Sequence, residues 1–380
     1  MPWKQETCMS LRKEFVSLAR SGVLPFSQLC QRFEISRKTG YKWLSRASVN
    51  PAEDFSDRSR RPHHSPCRTP VEIEEQVLAL RRQHPVWGGR KIASVLQTRG
   101  LQSVPAPSTV THILHRHGLI EPRVSGEGGT YRRFEHERPN RLWQMDFKGY
   151  FQTAEGRCDP LTVLDDHSRF NIVLDAQQGT STIPVQTALQ TAFRRYGLPQ
   201  QMNMDNGQPW GSPRSAEHGL STLSAWLVRL GIHISFSRPA HPQTNGKDER
   251  FHRTLKAEVL LGNEFDSLSQ VQQRFNGWRE IYNHLRPHEG IGMAVPAERY
   301  EPSTKLFPEE LPPIVYAPED LVRKVQSNGR VSFKGLWVLT SKGLRGQPVA
   351  FRPRPQEDGV YDIYYCQHCF KTINLRELSK

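Results

Sequence analysis

The chain has 380 residues, of which 52 are lysine or arginine and 38 are aspartate or glutamate, so its formal net charge is +14. This length predicts about two to four domains, and the positive charge favours a polyanionic partner, with nucleic acid as the leading candidate. No stretch approaches the roughly 18 consecutive apolar residues of a membrane span. The first residues lack a signal-peptide pattern, and the six cysteines are scattered. We therefore expect an intracellular protein with reduced thiols and no membrane partner.

Residues 1–50 have the pattern of a helix-turn-helix domain. A first amphipathic helix ends at Gly22, and two short helices follow, divided around residues 34–36. The predicted core residues are Leu29, Phe33, Ile35, Tyr41, Trp43 and Leu44. The predicted DNA-facing residues at the start and along the second short helix include Arg37, Lys38 and Lys42. An ordinary three-helix bundle with a solvated basic face is the alternative interpretation.

Residues 51–69 are rich in Pro, Ser, Arg and His, which indicates a linker. Helical periodicity returns over 70–122, where we predict a second helix-turn-helix domain with its turn at Trp87. The exposed start of its recognition helix would carry Ser108, Thr109 and His112. Residues 123–139 then form a second linker. Two such domains in tandem on a basic chain strengthen the prediction of DNA binding.

Residues 140–300 show strand and helix patterns in the order βββαβαβα, which is the order of the α/β ribonuclease H-like fold. Three acidic residues fall at key points of this order. Asp146 lies on the first strand, Asp205 follows the fourth strand, and Glu249 lies on the last helix. Because ligands gather at strand ends in open α/β sheets, we expect these carboxylates to form one site.

Three carboxylates in this arrangement suit the cutting and joining of DNA. Phosphodiester transfer needs divalent cations to activate the attacking oxygen and to stabilise the leaving oxygen, and hard oxygen ligands favour Mg²⁺ or Mn²⁺. Two ions roughly 3.5–4 Å apart can contact both oxygens of an in-line displacement. The catalytic and metal-binding candidates are therefore Asp146, Asp205 and Glu249, with two Mg²⁺ or Mn²⁺ ions expected as cofactors.

The motifs WQMDF, LTVLDDHSRF, MDNG, ISFSRPAHPQTNGKDERFHRTLKAEVL and YNHLRPHEGIGMAVPAERY resemble the catalytic core of the retroviral-integrase superfamily. Together with the tandem helix-turn-helix domains, they resemble bacterial insertion-sequence transposases of the Asp-Asp-Glu type. The resemblance covers nearly the whole chain. It implies an integrase core at 140–300 that binds the terminal inverted repeats of a mobile element, cleaves them and transfers the freed strand into target DNA.

The resemblance also implies partners and DNA contacts. Helical spacing places Asn245, Glu249, His252, Arg253 and Lys256 on one face of the last helix. By the resemblance this helix runs along the bound DNA end, so Asn245, Arg253 and Lys256 are predicted DNA contacts. The expected partners are double-stranded DNA and further copies of this chain, as a homodimer or higher oligomer. No nucleotide cofactor is expected, and the location would be the bacterial cytoplasm, at the nucleoid.

Two other functions are compatible with the residues. One is a DNA-binding regulator derived from a transposase, and the other is a metal-dependent nuclease that cuts without joining. Within the site, Asp248 competes with Glu249 for the third position, although the NGKDERFHRTL match favours Glu249. The separation of 43 residues between Asp205 and Glu249 exceeds that of many relatives, and a loop-like insertion at 208–219 accounts for the excess.

Residues 301–313 form a Pro-rich linker, and 314–380 carry short alternating strands with NG, KG, RG and DG turns. This pattern predicts a small C-terminal β domain, similar to a barrel. Cys366 and Cys369 form one CxxC pair, but a structural zinc site needs four ligands and no second pair stands nearby. The fold predicted for the whole chain is therefore multidomain: helical modules, an α/β core and a small β domain.

Overall fold

The computed structural model describes residues 7–49, 55–57, 68–120, 135–205, 207–211, 219–236 and 246–378. The chain divides into two compact units, residues 1–68 and residues 69–380. Asn245 and most of the insertion at 208–219 lie outside the described residues, as do parts of the linkers predicted at 51–69 and 123–139. Among the described helices, none combines the length and apolar character needed to span a membrane.

The first unit is a three-helix domain built from α1 (Cys8–Ser21), α2 (Phe26–Arg32) and α3 (Arg37–Val49). Leu29 and Trp43 are buried as predicted, but Tyr41 is 60% exposed, so its assignment to the core was wrong. Gly40 takes the core position instead, since a Cβ there would lie 2.9 Å from Cys30 Sγ and from two phenylalanine rings. Tyr41 packs from outside against Phe26, with ring centroids 4.3 Å apart.

The second unit begins with three more helices, α4 (Val71–Gln83), α5 (Gly89–Thr98) and α6 (Pro107–Arg116). Trp87 is fully buried at the entrance to α5 and stacks on His84 at 3.8 Å. Gly89 allows α5 and α6 to touch, because a Cβ there would lie 2.4 Å from the Pro107 carbonyl oxygen. The apolar core of these helices also packs against Ile281 and Leu285, so this module is docked on the following domain.

The central domain is a six-stranded mixed sheet with helices on both faces. Its strands are β1 (Leu142–Phe147), β2 (Phe151–Thr153), β3 (Gly156–Asp165), β4 (Asn171–Gln177), β5 (Gln201–Met204) and β6 (His233–Phe236). Its helices are α7 (Thr182–Tyr196), α8 (Thr222–Arg229), α9 (Gly246–Leu255), α10 (Leu268–His284) and α11 (Pro296–Arg299). The order along the sheet is β2-β3-β1-β5-β6, with β4 also paired to β3. The predicted order of elements is present, with the short β2 as an addition.

Apolar side chains on both faces of the sheet fix its position between two helical layers. On one face, Trp143 and Val163 pack with residues of α7 and α8. On the other face, Leu164 and Leu174 pack against α9 and α10, including Phe251 and Trp278. Because successive strand residues point to opposite faces, the alternation along β3 supplies both layers. The sheet is therefore buried on both sides.

The C-terminal domain has six strands, which form a four-stranded sheet in the order β12-β11-β10-β7 and a separate β8–β9 hairpin. The sequence had predicted a barrel-like arrangement of these strands. They are β7 (Leu321–Lys324), β8 (Arg330–Phe333), β9 (Leu336–Leu339), β10 (Pro348–Pro353), β11 (Val360–Tyr365) and β12 (His368–Asn374), followed by α12 (Leu375–Leu378). Phe333 of the hairpin stacks on Phe351 of the sheet, with centroids 4.0 Å apart. This contact joins the two layers.

The C-terminal domain is anchored to the start of α8 at one close contact. A Cβ on Gly343 would lie 2.3 Å from the Leu220 carbonyl oxygen and 2.8 Å from the Thr222 amide nitrogen. The Ser341 hydroxyl donates a hydrogen bond to the same Leu220 carbonyl. Only glycine allows the two backbones to approach this closely. The chain just before α8 is thereby held by the C-terminal domain.

One glycine lies in a regular helix without a packing role, which gives a direct stability prediction. Gly277 is exposed within α10, and a Cβ there would meet no atom within 4 Å. Because glycine in a helix interior costs roughly 0.5–1 kcal/mol relative to alanine, Gly277→Ala should stabilise the protein by about that amount. Urea unfolding of wild type and variant measures it. A lower midpoint for the variant would show that this turn of α10 is not a regular helix.

Candidate functional site

Asp146 and Asp205 lie side by side at the edge where β1 and β5 end. These strands are parallel, with Leu142 paired to Gln201 and Gln144 paired to Asn203. Continuing this register by two residues places Asp146 beside Asp205. Because residues two apart on a strand share a face, both side chains point to the same side of the sheet. Asp205 Oδ1 accepts a hydrogen bond from the Gly207 amide at 2.9 Å.

The surroundings of the Asp146 carboxyl disfavour its ionised form. Burial, the neighbouring charge of Asp205 and a further contribution from Glu249 raise the pKa of Asp146 to about 7. Like charges that crowd one site disfavour ionisation unless a cation offsets them. The three predicted acids are thus close enough to interact. Within the described residues, however, no three His, Cys, Asp or Glu side chains form a ready metal-binding cluster.

The two neighbouring acids of α9 have opposite environments. Glu249 is exposed, whereas Asp248 is 1% exposed and its carboxylate oxygens have no hydrogen-bond partner among the described residues. Burial, together with Asp146 and Asp166, raises the pKa of Asp248 well above its usual range. A carboxyl that is buried this deeply is a poor candidate for an accessible ligand. The choice of Glu249 as the third acid remains a prediction, and this contrast favours it.

His252 does not share the exposed face of Glu249, as its spacing had suggested. Its Nε2 atom lies 2.8 Å from the hydroxyl of Thr162 on β3. Burial and the nearby charge of Lys148 lower the pKa of His252 to about 4, so the ring is neutral at physiological pH. The residue turns inward because a buried hydroxyl, distant in sequence, offers it a partner.

The acidic turn after β3 stabilises the structure around the site. Asp165 is fully buried and accepts hydrogen bonds from the Asn140 and Ser168 amides, at 2.7 and 2.8 Å. Asp166 accepts from Gln144 of β1 at 3.0 Å and is paired with Lys247 of α9. The turn thus links β1 to the helix that carries Glu249.

Several basic residues surround the acids. Arg253 and Lys256, both predicted DNA contacts, are exposed on α9 and at the start of the π-helical turn that follows it. Lys148, two residues after Asp146, is half-buried and its pKa is lowered by burial and by the charge of Lys256. The sequence reasoning missed Lys148, because a single lysine after a strand carries no pattern. The effect of Lys256 on Lys148 indicates that these two positive charges lie near each other, close to the end of β1.

Arg286, which could have served as a phosphate contact, has a different role. Its guanidinium is buried and pairs with Glu258 at 2.9 Å, with both side chains below 10% exposure. Glu258 also accepts a hydrogen bond from the Trp278 indole at 2.9 Å. This ion pair joins the end of α10 to the π-helical turn. The Arg286 guanidinium is therefore buried in a structural ion pair.

The predicted recognition residues of both helical modules lie on α3 and α6. Arg37, Lys38 and Lys42 are exposed on α3. On α6, Ser108 and His112 are exposed, whereas Thr109 is half-buried. These positions agree with the outward faces expected of recognition helices.

The C-terminal domain contains a basic stretch that the sequence reasoning did not single out. Residues 321–345 contain six basic residues and no acidic residue. The six are Arg323, Lys324, Arg330, Lys334, Lys342 and Arg345. None of them forms an ion pair with an acid in the described part of the chain. On the β8–β9 hairpin, Arg330 and Trp337 are exposed, so positive charge and an aromatic ring stand on its outer face.

Comparison with protein families matches these domains in order. Two models described as an integrase core domain match residues 136–242 and 230–296, a homeodomain-like domain matches residues 39–114, and the IS481 family transposase C-terminal domain matches residues 320–380. The integrase core domain and the transposase relatives indicate an enzyme of the polynucleotidyl transferase class. Domain by domain, the chain is similar to insertion-sequence transposases with an integrase-type catalytic core.

Individual relatives have low sequence identity to this chain. An uncharacterized 39.2 kDa protein of insertion element IS476 from Xanthomonas euvesicatoria is 26% identical over 246 residues, which cover 62% of this chain and 67% of the relative. An uncharacterized 31.7 kDa protein of element IS407 from Burkholderia multivorans is 27% identical, over 42% of this chain and 55% of the relative. The transposase for insertion sequence element IS904 from Lactococcus lactis is 24% identical, over 62% of this chain and 97% of the relative.

Solved structures also show similarity at low sequence identity. The catalytic core domain of HTLV-2 integrase in complex with magnesium is 17% identical and covers 43% of this chain and 99% of that chain, with a TM-score of 0.34. A simian T-cell lymphotropic virus intasome in complex with PP2A regulatory subunit B56 gamma is 15% identical and covers 77% of this chain and 96% of that chain, with a TM-score of 0.35.

Proposed function

We propose that this transposase binds the terminal inverted repeats of its own mobile element and catalyses metal-dependent DNA cleavage and strand transfer. One observation carries the proposal: Asp146 and Asp205 lie at the ends of adjacent parallel strands of an integrase core, and the exposed Glu249 lies on a helix packed against the same sheet. The reaction frees a 3′-hydroxyl at the element end and joins it to a target phosphate. Hydrolysis and joining are the same displacement at phosphorus, with water or the 3′-hydroxyl as the nucleophile.

The three carboxylates fit hard divalent cations. Their oxygens are the ligands that Mg²⁺ and Mn²⁺ prefer. The pKa of Asp146 is raised first by burial and then by the negative charge of Asp205, which a cation would offset. Two such ions, when bound, would supply positive charge at the scissile phosphate and lower the barrier to attack. In this proposal Asp146 and Asp205 hold the cations from adjacent strands, and Glu249 holds them from α9. Lys148, Arg253 and Lys256 contact neighbouring phosphates.

DNA binding is assigned to several surfaces. Arg37, Lys38 and Lys42 on α3 and Ser108, Thr109 and His112 on α6 would read the element end. Asn245, with Arg253 and Lys256, would contact DNA close to the cleavage point. Because two element ends must be joined to one target, we infer a homodimer or higher oligomer. The reaction needs no nucleotide cofactor, and it would take place at the nucleoid in the bacterial cytoplasm.

A joining assay tests this function against its two alternatives. Purified protein is incubated with labelled DNA carrying the inverted repeats that flank its gene, a target plasmid, and either Mg²⁺ or EDTA. We expect Mg²⁺-dependent transfer of label into the plasmid. Cleaved ends without joined product would instead indicate a nuclease. End binding without cleavage would indicate a regulator derived from a transposase.

The pKa of Asp146 gives a pH prediction for metal binding. The unfolded aspartate loses its proton near pH 4, whereas Asp146 in the fold keeps it up to about pH 7, so without metal stability falls as the pH rises through this window. A cation that binds the ionised carboxylate reverses this loss. We therefore expect Mn²⁺ to raise the unfolding temperature more at about pH 8 than at about pH 6, because its apparent affinity falls roughly tenfold for each pH unit below the pKa. A thermal shift by Mn²⁺ that is equal across this range would contradict the assignment.

A further inference from the structure

One hydrogen-bonded chain connects the helix that carries Glu249 to the strand that carries Asp146. Thr162 of β3 pairs directly with Asp146 of β1 in the antiparallel register. Its hydroxyl donates to the Asp146 carbonyl oxygen at 2.9 Å and lies 2.8 Å from Nε2 of His252 on α9. Thr162 is fully buried, so water does not compete for these bonds.

The number of available protons fixes which group donates and which accepts in each of these hydrogen bonds. A threonine hydroxyl carries one proton, and a backbone carbonyl can only accept a hydrogen bond. With the Thr162 proton directed to the Asp146 carbonyl, the second contact requires His252 to donate its Nε2 proton. His252 is therefore the tautomer with a proton on Nε2, and each group in the chain has one defined role.

This hydrogen-bonded chain lies next to the site of the three acids. His252 is one helical turn after Glu249, so a shift of the imidazole along the sheet moves the Glu249 backbone with it. Around His252, the contacts between α9 and the sheet are apolar and include Phe251 and Leu255. Another polar link of α9, the Lys247–Asp166 pair, lies at the start of the helix. Apolar contacts tolerate sliding, whereas a hydrogen bond to a buried hydroxyl fixes the distance and the direction. The polar chain through Thr162 thus specifies where α9 lies relative to β1 on the C-terminal side of Glu249.

We propose that His252 is a positioning residue, which acts through Thr162 to set the separation between Glu249 on α9 and Asp146 on β1. This inference rests on the proposed metal-dependent function, and it concerns residues that contact neither metal nor DNA. Its consequence is that loss of the Thr162 hydroxyl weakens cation binding even though all three acids remain. Partners that orient ligands typically change metal affinity by roughly 10–100-fold when they are removed.

Thr162→Val and Thr162→Ser form a matched pair for the test. Valine keeps the shape and removes the hydroxyl, whereas serine keeps the hydroxyl and removes the methyl group. Mn²⁺ binding to the full-length protein is measured by electron paramagnetic resonance, and the Mn²⁺ dependence of strand transfer is measured in parallel. For Thr162→Val we expect the dissociation constant of Mn²⁺ to rise roughly 10–100-fold. For Thr162→Ser we expect a value close to that of wild type.

The unfolding temperature of Thr162→Val without metal shows whether this variant folds. If it does not fold, a second pair of variants, at His252, tests the same inference. His252→Gln keeps an N–H donor and His252→Leu removes it, so only the leucine variant should lose Mn²⁺ affinity. Equal Mn²⁺ affinity in the donor-keeping and donor-lacking variants would overturn the inference. That result is distinct from failure of the proposed function, which would appear as the absence of Mn²⁺ binding and of metal-dependent joining in wild type itself.

Discussion

Asp205→Asn is expected to abolish strand transfer while leaving binding to element ends unchanged. Asparagine keeps the shape of the side chain and its hydrogen bond with the Gly207 amide, but it removes the negative charge beside Asp146. Metal-assisted charge stabilisation contributes several kcal/mol at the transition state. Because each 1.4 kcal/mol is tenfold in rate, a loss on the order of 10³-fold or more in joining is expected. Gel-shift and joining assays on the same preparation measure the two properties.

Asp358→Asn is a suitable control for this variant. Asp358 is also an aspartate, but it is 91% exposed in the C-terminal domain, where it pairs with Arg376. This substitution should change neither binding nor joining. If Asp205→Asn retained joining at the wild-type rate, Asp205 would have no place among the metal ligands. If it lost end binding as well, its role would be structural.

Arg286→Met is expected to produce the largest loss of stability among the substitutions considered. The variant leaves Glu258 buried with its Trp278 hydrogen bond but without its cation. Removing one partner of a buried ion pair costs roughly 3–5 kcal/mol, because the remaining charge is left uncompensated. Chemical unfolding of the full-length protein, followed by tryptophan fluorescence, measures the change in the transition of residues 69–380.

Two comparisons make this test specific. Glu280→Gln breaks an exposed pair with His284, whose side chains are 61% and 54% exposed, and should change stability by less than about 0.5 kcal/mol. The double replacement of Glu258 and Arg286 by methionine should recover much of the loss, since no charge then remains buried. An Arg286→Met variant that is as stable as wild type but binds DNA weakly would instead assign Arg286 to phosphate binding.

The sequence predicted those features that depend on local pattern. Alternating apolar residues marked β1, β3 and β4, and the order of strands and helices placed Asp146, Asp205 and Glu249 on one core. The family matches confirm the integrase core and the homeodomain-like region. These features can be predicted because the periodicity of apolar residues in a strand or helix indicates which side of that element is buried.

Two burials that helical spacing did not predict share one physical cause: a polar residue is buried where a distant part of the chain offers it a partner. His252 faces inward because Thr162, 90 positions away, accepts a hydrogen bond from it. Arg286 is buried because Glu258, 28 positions away, neutralises it. Tyr41 was assigned to the core because its neighbour Gly40 has no side chain to mark the buried position. Helical spacing alone contains no record of such partners.

Replacing Glu249 by glutamine gives the most direct test of the central claim, that three carboxylates on an integrase core catalyse DNA joining. Wild type, Glu249→Gln and the exposed control Glu264→Gln are incubated with labelled element ends and a target plasmid, in Mg²⁺, Mn²⁺ or EDTA. We expect metal-dependent joined product for wild type and Glu264→Gln, and none for Glu249→Gln, although all three bind the ends. Joined product from Glu249→Gln at the wild-type rate, or from wild type in EDTA, would contradict the claim.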